Sequence, residues 1–222
     1  MKKKILVACL CVALAVLTVA GTTLAYLTSK DTVTNTFTVG QVKMTLDEAK
    51  VNTDGDPVDK TGKVVTNLAA AERVKENSYK LMPGKEYTKD PTVTIKAGSE
   101  SAYVRLLVTA TFTKTLTDAQ LATKLDDIFT GYSSNWVRNA KDVKTVDGKT
   151  VITYEYRYNT TVSADTEDNK LPALFTAVVI PEDWTNETLE AIGGVQISIV
   201  GQAIQADGFE TADAAWAKFP TT

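Results

Sequence analysis

The chain has 222 residues, with 24 Lys and Arg against 27 Asp and Glu, no His and two Cys. Its net charge of −3 provides no basic surface for nucleic acid. The absence of His excludes a Ser-His-Asp triad, a Cys-His pair and an H-E-x-x-H zinc site, because each needs an imidazole as base or ligand.

The N-terminal 25 residues have the composition of a secretory signal. Lysines at positions 2–4 precede an apolar run over residues 5–20, and small residues lie at Thr23 and Ala25. This pattern predicts cleavage between Ala25 and Tyr26. The alternative is an uncleaved anchor, since residues 5–25 are just long enough to span a bilayer. We expect contact with the membrane only through this segment.

Both cysteines, Cys9 and Cys11, lie inside the predicted signal. The mature chain, residues 26–222, therefore has no disulfide, and its stability must come from a buried core. Loss of the three leader lysines lowers the net charge from −3 to −6. This charge favours solubility and argues against anionic surfaces as partners.

The mature chain alternates apolar and polar residues with the period of β-strands. The clearest strands are predicted over 102–112, 151–158 and 195–204, with shorter candidates at 91–96, 135–138, 143–146 and 174–180. Asp147 and Gly148 separate two strand-like runs, which predicts a hairpin turn.

A separate extended segment follows the predicted cleavage site. Residues 33–39 alternate, and residues 42–46 continue the alternation with the opposite parity. A parity change at Gly40 and Gln41 implies a bulge or a sharp bend. The sequence thus predicts an N-terminal strand segment over 26–46 that is broken once.

Three short helices are predicted among the strands. They cover residues 117–129, 185–192 with Gly193-Gly194 as a C-cap, and 211–218. Residues 47–77 are polar and weakly patterned, with one brief helix at 67–75, and we interpret them as a surface insertion. The pattern predicts a single all-β domain, an antiparallel β-sandwich with short helical insertions.

Few side chains suggest chemistry. Asn52, Asp54, Asp56 and Asp59 have the near-alternate spacing of oxygen ligands in Ca²⁺ loops. They lack the glycine and the terminal glutamate of an EF-hand, so the alternative is a solvated turn. A second acidic loop, at residues 165–168, allows the same two interpretations. The sequence selects no catalytic residue, and Ca²⁺ is the one cofactor that it suggests.

Aromatic residues allow a core role or a binding role. Tyr154, Tyr156 and Tyr158 share a strand face with Ile152, which favours core packing over a stacking platform. The three tryptophans are scattered along the sequence, and packing in the core or at its rim is the expected role for them. They are Trp136, Trp184 and Trp216.

Three stretches together resemble the TasA/camelysin family of exported Gram-positive proteins. The first is the junction over residues 21–31, with an aromatic residue directly after Ala25. The second is the segment over 33–46, and the third is the Leu-Met-Pro-Gly turn and its continuation over 81–90. The resemblance covers residues 1–46 and 78–112.

The resemblance implies a jelly-roll sandwich that is processed by a SipW-type signal peptidase. It also implies a subunit of extracellular biofilm-matrix fibres, in which the N-terminal strand of one copy completes the sheet of the next. An accessory matrix subunit is a further partner that the resemblance allows. In this chain Val33, Phe37 and Val39 would be the inserted side chains, with Gly40 at the bend. The alternative is that this strand pairs within its own subunit.

Two other functions remain open at this point. The same family carries a metallopeptidase description, but a chain with no His and no mature Cys has only carboxylates to offer a metal, and these suit harder ions than zinc. A monomeric adhesin that binds a surface ligand through its tryptophans and acidic loops is the third possibility.

Overall fold

The computed structural model describes residues 40–117, 128–192 and 195–219. Short helices are α1 (Asn186–Ile192) and α2 (Ala212–Trp216), and a single 3-10 turn spans Leu68–Ala70. The strands in chain order are β1 (Met44–Ala49), β2 (Arg73–Val74), β3 (Glu86–Thr88), β4 (Thr92–Ile95), β5 (Ser99–Phe112), β6 (Phe129–Thr130), β7 (Trp136–Val146), β8 (Lys149–Tyr158), β9 (Val162–Ala164), β10 (Asn169–Lys170), β11 (Ala177–Val179) and β12 (Val195–Gln205).

The strands form antiparallel sheets. The largest has the order β12-β5-β8-β7, and β9 also pairs with β5. The second has the order β10-β4-β1-β2, and the third has the order β3-β11-β6. The all-β prediction is confirmed. No helix in the described ranges is long and apolar enough to cross a bilayer.

The core lies between the sheets and follows the alternation of the sequence. On β5, Val104, Leu106 and Val108 are at most 1% exposed, while the residues between them are half-buried. Val93 and Ile95 of β4 are fully buried in the same cluster. The tyrosine face of β8 and the three tryptophans also lie in the buried part of the protein, which confirms the packing role expected for Ile152, Tyr154, Tyr156, Trp136, Trp184 and Trp216.

The β7–β8 hairpin turns at the predicted dipeptide. Asp147 and Gly148 have φ angles of 50° and 73°, the left-handed values that a two-residue hairpin turn requires. The two short strands predicted at 135–138 and 143–146 are one continuous strand, β7. It stays continuous because a bulge between Arg138 and Ala140 absorbs the change in alternation.

The helix predicted over 117–129 is wrong at its C-terminal end, while residues 118–127 lie outside the described ranges. Phe129 belongs to β6, where it pairs with Val178. Its ring packs 4.7 Å from that of Phe175 (centroid to centroid). Tertiary packing of an aromatic residue thus overrides a helical spacing. The predicted Gly193-Gly194 cap also lies outside the described residues.

Gly131, which follows β6, provides a test of this local structure. It has φ 70°, and a Cβ there would lie 2.0 Å from Thr176 Oγ1, whereas a Cβ at Gly148 (φ 73°) would meet no atom within 4 Å. We expect Gly131→Ala to lower the free energy of unfolding by about 2 kcal/mol and Gly148→Ala by about 1 kcal/mol, because only the first adds a clash to the strain. Urea denaturation measures both, and equal losses would contradict the clash.

Residues 47–77 contribute to the sheets as well as to the surface. Residues 47–49 form the end of β1, and Arg73 and Val74 form β2, which pairs back onto it. The brief helix predicted for 67–75 is wrong beyond Ala70. Only a 3-10 turn forms, with the Asn67 side chain accepting from Ala69 N, because the residues after it are drawn into β2.

Candidate functional site

A long groove lies between β1 and β12, at the open side of the sandwich. It encloses about 780 Å³ and is lined by residues 44–48 of β1, residues 195–201 of β12 and the segment from Val74 to Tyr79. β12 pairs with β5 through one edge, and no other described strand pairs with its second edge. β1 pairs with β4 over residues 44–47, and among the described strands its opposite edge is paired only at Glu48 and Ala49, by β2. In the part of the chain that the structure describes, two strand edges without a partner strand therefore border the same groove.

The walls of the groove are apolar but incompletely covered. Their side chains pack against the buried core on one side, yet they remain only half-buried because the other side faces the groove. Val200, the neighbour of Ile199 that points to the outer face, is 48% exposed. The half-buried apolar side chains of the walls are Met44, Leu46, Tyr79, Leu81, Val195, Ile197 and Ile199.

β12 and β1 approach each other closely at Gly201. A Cβ at this position would lie 2.5 Å from Met44 Cε and 3.6 Å from Leu46 Cδ2. Glycine in the interior of a strand commonly marks such a close approach. Met44 and Gly201 both line the groove, so this contact narrows it at that position.

The first described residues lie beside the C-terminal end of β12. Gly40 and Gln41 lie beside Ala203–Gln205, and Glu100 N donates to Gln41 O (3.0 Å). Four residues after Gly40, Met44 lies on Gly201.

An arginine anchors the β1 wall. Arg73 Nε donates to Asp47 Oδ1 (2.8 Å), and its Nη1 donates to the carboxylate of buried Asp90. Burial alone would lower the pKa of Arg73, but the hydrogen bonds and charges of Asp90 and Asp47 outweigh it and raise that pKa. Asp90 Oδ1 also accepts from Ala49 N (2.6 Å). One guanidinium thus joins β1, β2 and the start of β4.

The candidate Ca²⁺ ligands form turns. Asn52 Oδ1 accepts from Asp54 N and Asp56 N (both 2.9 Å), and Asp54 Oδ1 pairs with Lys85 Nζ (3.1 Å). Asp59 Oδ1 accepts from Thr61 N (2.8 Å), and hydrogen bonds from Thr61 lower its pKa. In the described ranges, no group of three or more Cys, Asp or Glu has an arrangement that could hold a metal ion.

The second acidic loop also makes local contacts. Asp168 pairs with Lys96 and accepts from Ala97 N (3.0 Å), and these hydrogen bonds lower the pKa of its carboxyl group. These bonds hold the β9–β10 connection beside β4, to which β10 is paired.

The predicted assembly residues fall mainly outside the described part of the chain. Ala25, Tyr26, Val33, Phe37 and Val39 all precede Gly40, the first described residue, which is exposed.

The groove itself was not predicted from the sequence. The alternation of 195–204 indicated the apolar face of β12, but nothing in the sequence placed β1 and Tyr79 opposite it. Nothing in the sequence predicted that the polar residues Glu48 and Lys89 would be buried or would line the groove.

Comparison with known proteins yields a match to a protein family. Residues 1–66 match the family model described as camelysin metallo-endopeptidase. This match confirms the resemblance to the TasA/camelysin family for the N-terminal part of the chain. No curated protein and no solved structure matches the chain.

Proposed function

We propose that the exported chain is a structural subunit of an extracellular matrix fibre. In this proposal, residues 33–39 of one copy add a strand in the groove between β1 and β12 of the next copy. The observation that carries the proposal is the groove, in which half-buried apolar walls lie beside two strand edges that no described strand pairs with. Exposed, flat strand edges are normally blunted unless they are used.

The length and pattern of the donor segment fit the groove. Residues 33–39 and the β12 residues that line the groove, 195–201, both span seven positions. Main-chain hydrogen bonds to the free edge of β12 would supply affinity, and alternate donor side chains would fill the space between the sheets. Val33, Phe37 and Val39 share one face of the donor strand and match the apolar character of the walls.

The family description supports a second candidate, a cell-surface metallopeptidase. A peptidase would cleave casein, and a chelator would abolish that cleavage. An adhesin, the third possibility, would bind its ligand as a monomer that lacks residues 26–40. We favour the fibre subunit because the groove fits a strand of this chain.

Deletion of the donor segment tests the proposal. The chain beginning at Tyr26, without an N-terminal tag, is compared with a chain that lacks residues 26–40, by negative-stain electron microscopy over several days. We expect fibres from the first and monomers from the second. Monomers from both chains would overturn homopolymer formation by strand exchange. This holds whether or not those monomers cleave casein in a way that a chelator abolishes.

A further inference from the structure

Three side chains that line the groove meet at one carboxylate. Lys89, which follows β3, donates from Nζ to Oε2 of Glu48 on β1 (2.6 Å). Asn77, between β2 and β3, donates from Nδ2 to the other oxygen, Glu48 Oε1 (2.9 Å). An amine and a carboxamide therefore both donate to one carboxylate, which is a potential proton carrier between them.

The amide of Asn77 is fixed in one orientation. Its Nδ2 also donates to Ala49 O (2.8 Å), and its Oδ1 accepts from the backbone N–H of Val51 (3.0 Å). These contacts settle which side-chain atom is nitrogen and which is oxygen. They also place a backbone donor on the carbonyl oxygen, as an oxyanion hole does.

The site is shielded from water. Lys89 and Glu48 are 5% and 7% exposed, and the Tyr79 ring lies 5.6 Å from Lys89 Nζ. Burial, and secondarily the charge of Glu48, raise the pKa of Tyr79. The nucleophilic form of Lys89 is the neutral amine, which would form by transfer of a proton from its ammonium to Glu48 along their hydrogen bond.

We propose that Lys89 and Asn77 form an intramolecular isopeptide bond, with Glu48 as the catalytic proton carrier. The Lys89 amine attacks Asn77 Cγ, and the oxyanion that forms on Oδ1 is stabilised by the Val51 N–H. Glu48 passes the proton that it took from the Lys89 ammonium to Asn77 Nδ2, and then accepts the second proton from the attacking nitrogen. The C–N bond to Nδ2 breaks, an amide joins the two side chains, and ammonia leaves, taking the remaining proton from Glu48 as ammonium. The step needs no oxidant and no metal.

The bond would replace the disulfide that this chain lacks. Cys9 and Cys11 both precede the mature domain. A link from position 77 to position 89 closes a loop that contains Tyr79 and Leu81, which line the groove, and β3. Closing a loop lowers the entropy of the unfolded chain. The cross-link lies within one chain, so it would form whether or not the chain assembles into fibres.

Peptide mapping tests the proposal on the exported, purified protein. After denaturation and trypsin digestion, we expect peptide 76–80 joined to peptide 86–96, with no cleavage after Lys89. The branched product has lost one ammonia, about 17 Da, relative to its unlinked parts. Release of unmodified peptides 76–80, 86–89 and 90–96 from folded protein would overturn the proposal. Ammonia loss confined to peptide 76–80 would overturn it too, because it indicates a succinimide at Asn77.

Two variants test the role of Glu48. Glu48→Gln keeps the shape of the side chain but removes the proton carrier, and we expect it to fold, by far-UV circular dichroism, without the cross-link. Glu48→Asp keeps a carboxylate at a greater distance and should form the cross-link at least 10-fold more slowly than the wild type. Cross-linking at the wild-type rate in either variant would contradict the mechanism.

Discussion

Ile199→Asp is expected to abolish fibre formation by the chain beginning at Tyr26 while leaving a folded monomer. Ile199 faces the groove and is only half-buried before a donor strand arrives. Fully burying such a side chain contributes about 1.5–3 kcal/mol, and the half that a donor strand would newly bury contributes about 0.8–1.5 kcal/mol, so losing it weakens each subunit contact by about 4- to 13-fold. A carboxylate at this position adds the cost of losing its hydration. Since the side chain is still reached by water in the monomer, the fold itself should tolerate the change.

The adjacent residue provides a matched control. Val200 lies on the same strand, one position along, but points to the outer face and is 48% exposed. Val200→Asp carries the same new charge on the same strand and should still form fibres. Electron microscopy and sedimentation at equal protein concentration compare the two variants. If both variants form fibres, or if neither does, strand addition in the groove is the wrong account of assembly.

Arg73→Ala is expected to lower the free energy of unfolding by about 3 kcal/mol. The change leaves the Asp90 carboxylate, in a residue 5% exposed, without the guanidinium that neutralises it. Breaking a fully buried pair costs about 3–5 kcal/mol, and the lower end applies because the Arg73 side chain is 23% exposed. For a domain of this size the loss corresponds to a fall in Tm of about 6–12 °C.

A surface ion pair nearby is the control for Arg73. Lys50 pairs with Glu72 at 2.9 Å, but the side chains are 46% and 29% exposed. Lys50→Ala should therefore cost less than about 1 kcal/mol. Both values come from urea denaturation followed by tryptophan fluorescence, since Trp136, Trp184 and Trp216 are buried. Similar losses for the two variants would mean that Asp90 finds another partner when Arg73 is absent.

The Arg73 and Ile199 variants affect two separate properties of the groove region, which are the stability of the monomer and the assembly of fibres. The Arg73 contacts hold β1 in place, so they act on the stability of the monomer. Ile199 lies on the opposite wall and makes its additional contacts only when a strand fills the groove. A loss of fibres without a loss of stability, or the reverse, distinguishes these roles experimentally.

The sequence alone determined the strands that dominate the fold. The alternation over 102–112, 151–158 and 195–204 predicted β5, β8 and β12, because side chains on a strand point to opposite faces and only one face is buried. Asp147-Gly148 predicted the hairpin, because its dihedral angles are a local property. The N-terminal motifs resemble those of the TasA/camelysin family, and the match over residues 1–66 confirms this resemblance.

Only the tertiary structure decided where the groove lies and what it contains. Phe129 left its predicted helix because ring packing against Phe175 outweighs a weak local propensity. Glu48, Asn77 and Lys89 are up to 41 residues apart in sequence and meet only because β1, β2 and β3 converge. The hydrophobic period and the secondary-structure propensity of a sequence describe one strand at a time. The space left between two sheets, and the polar groups enclosed there, depend on how distant strands pack.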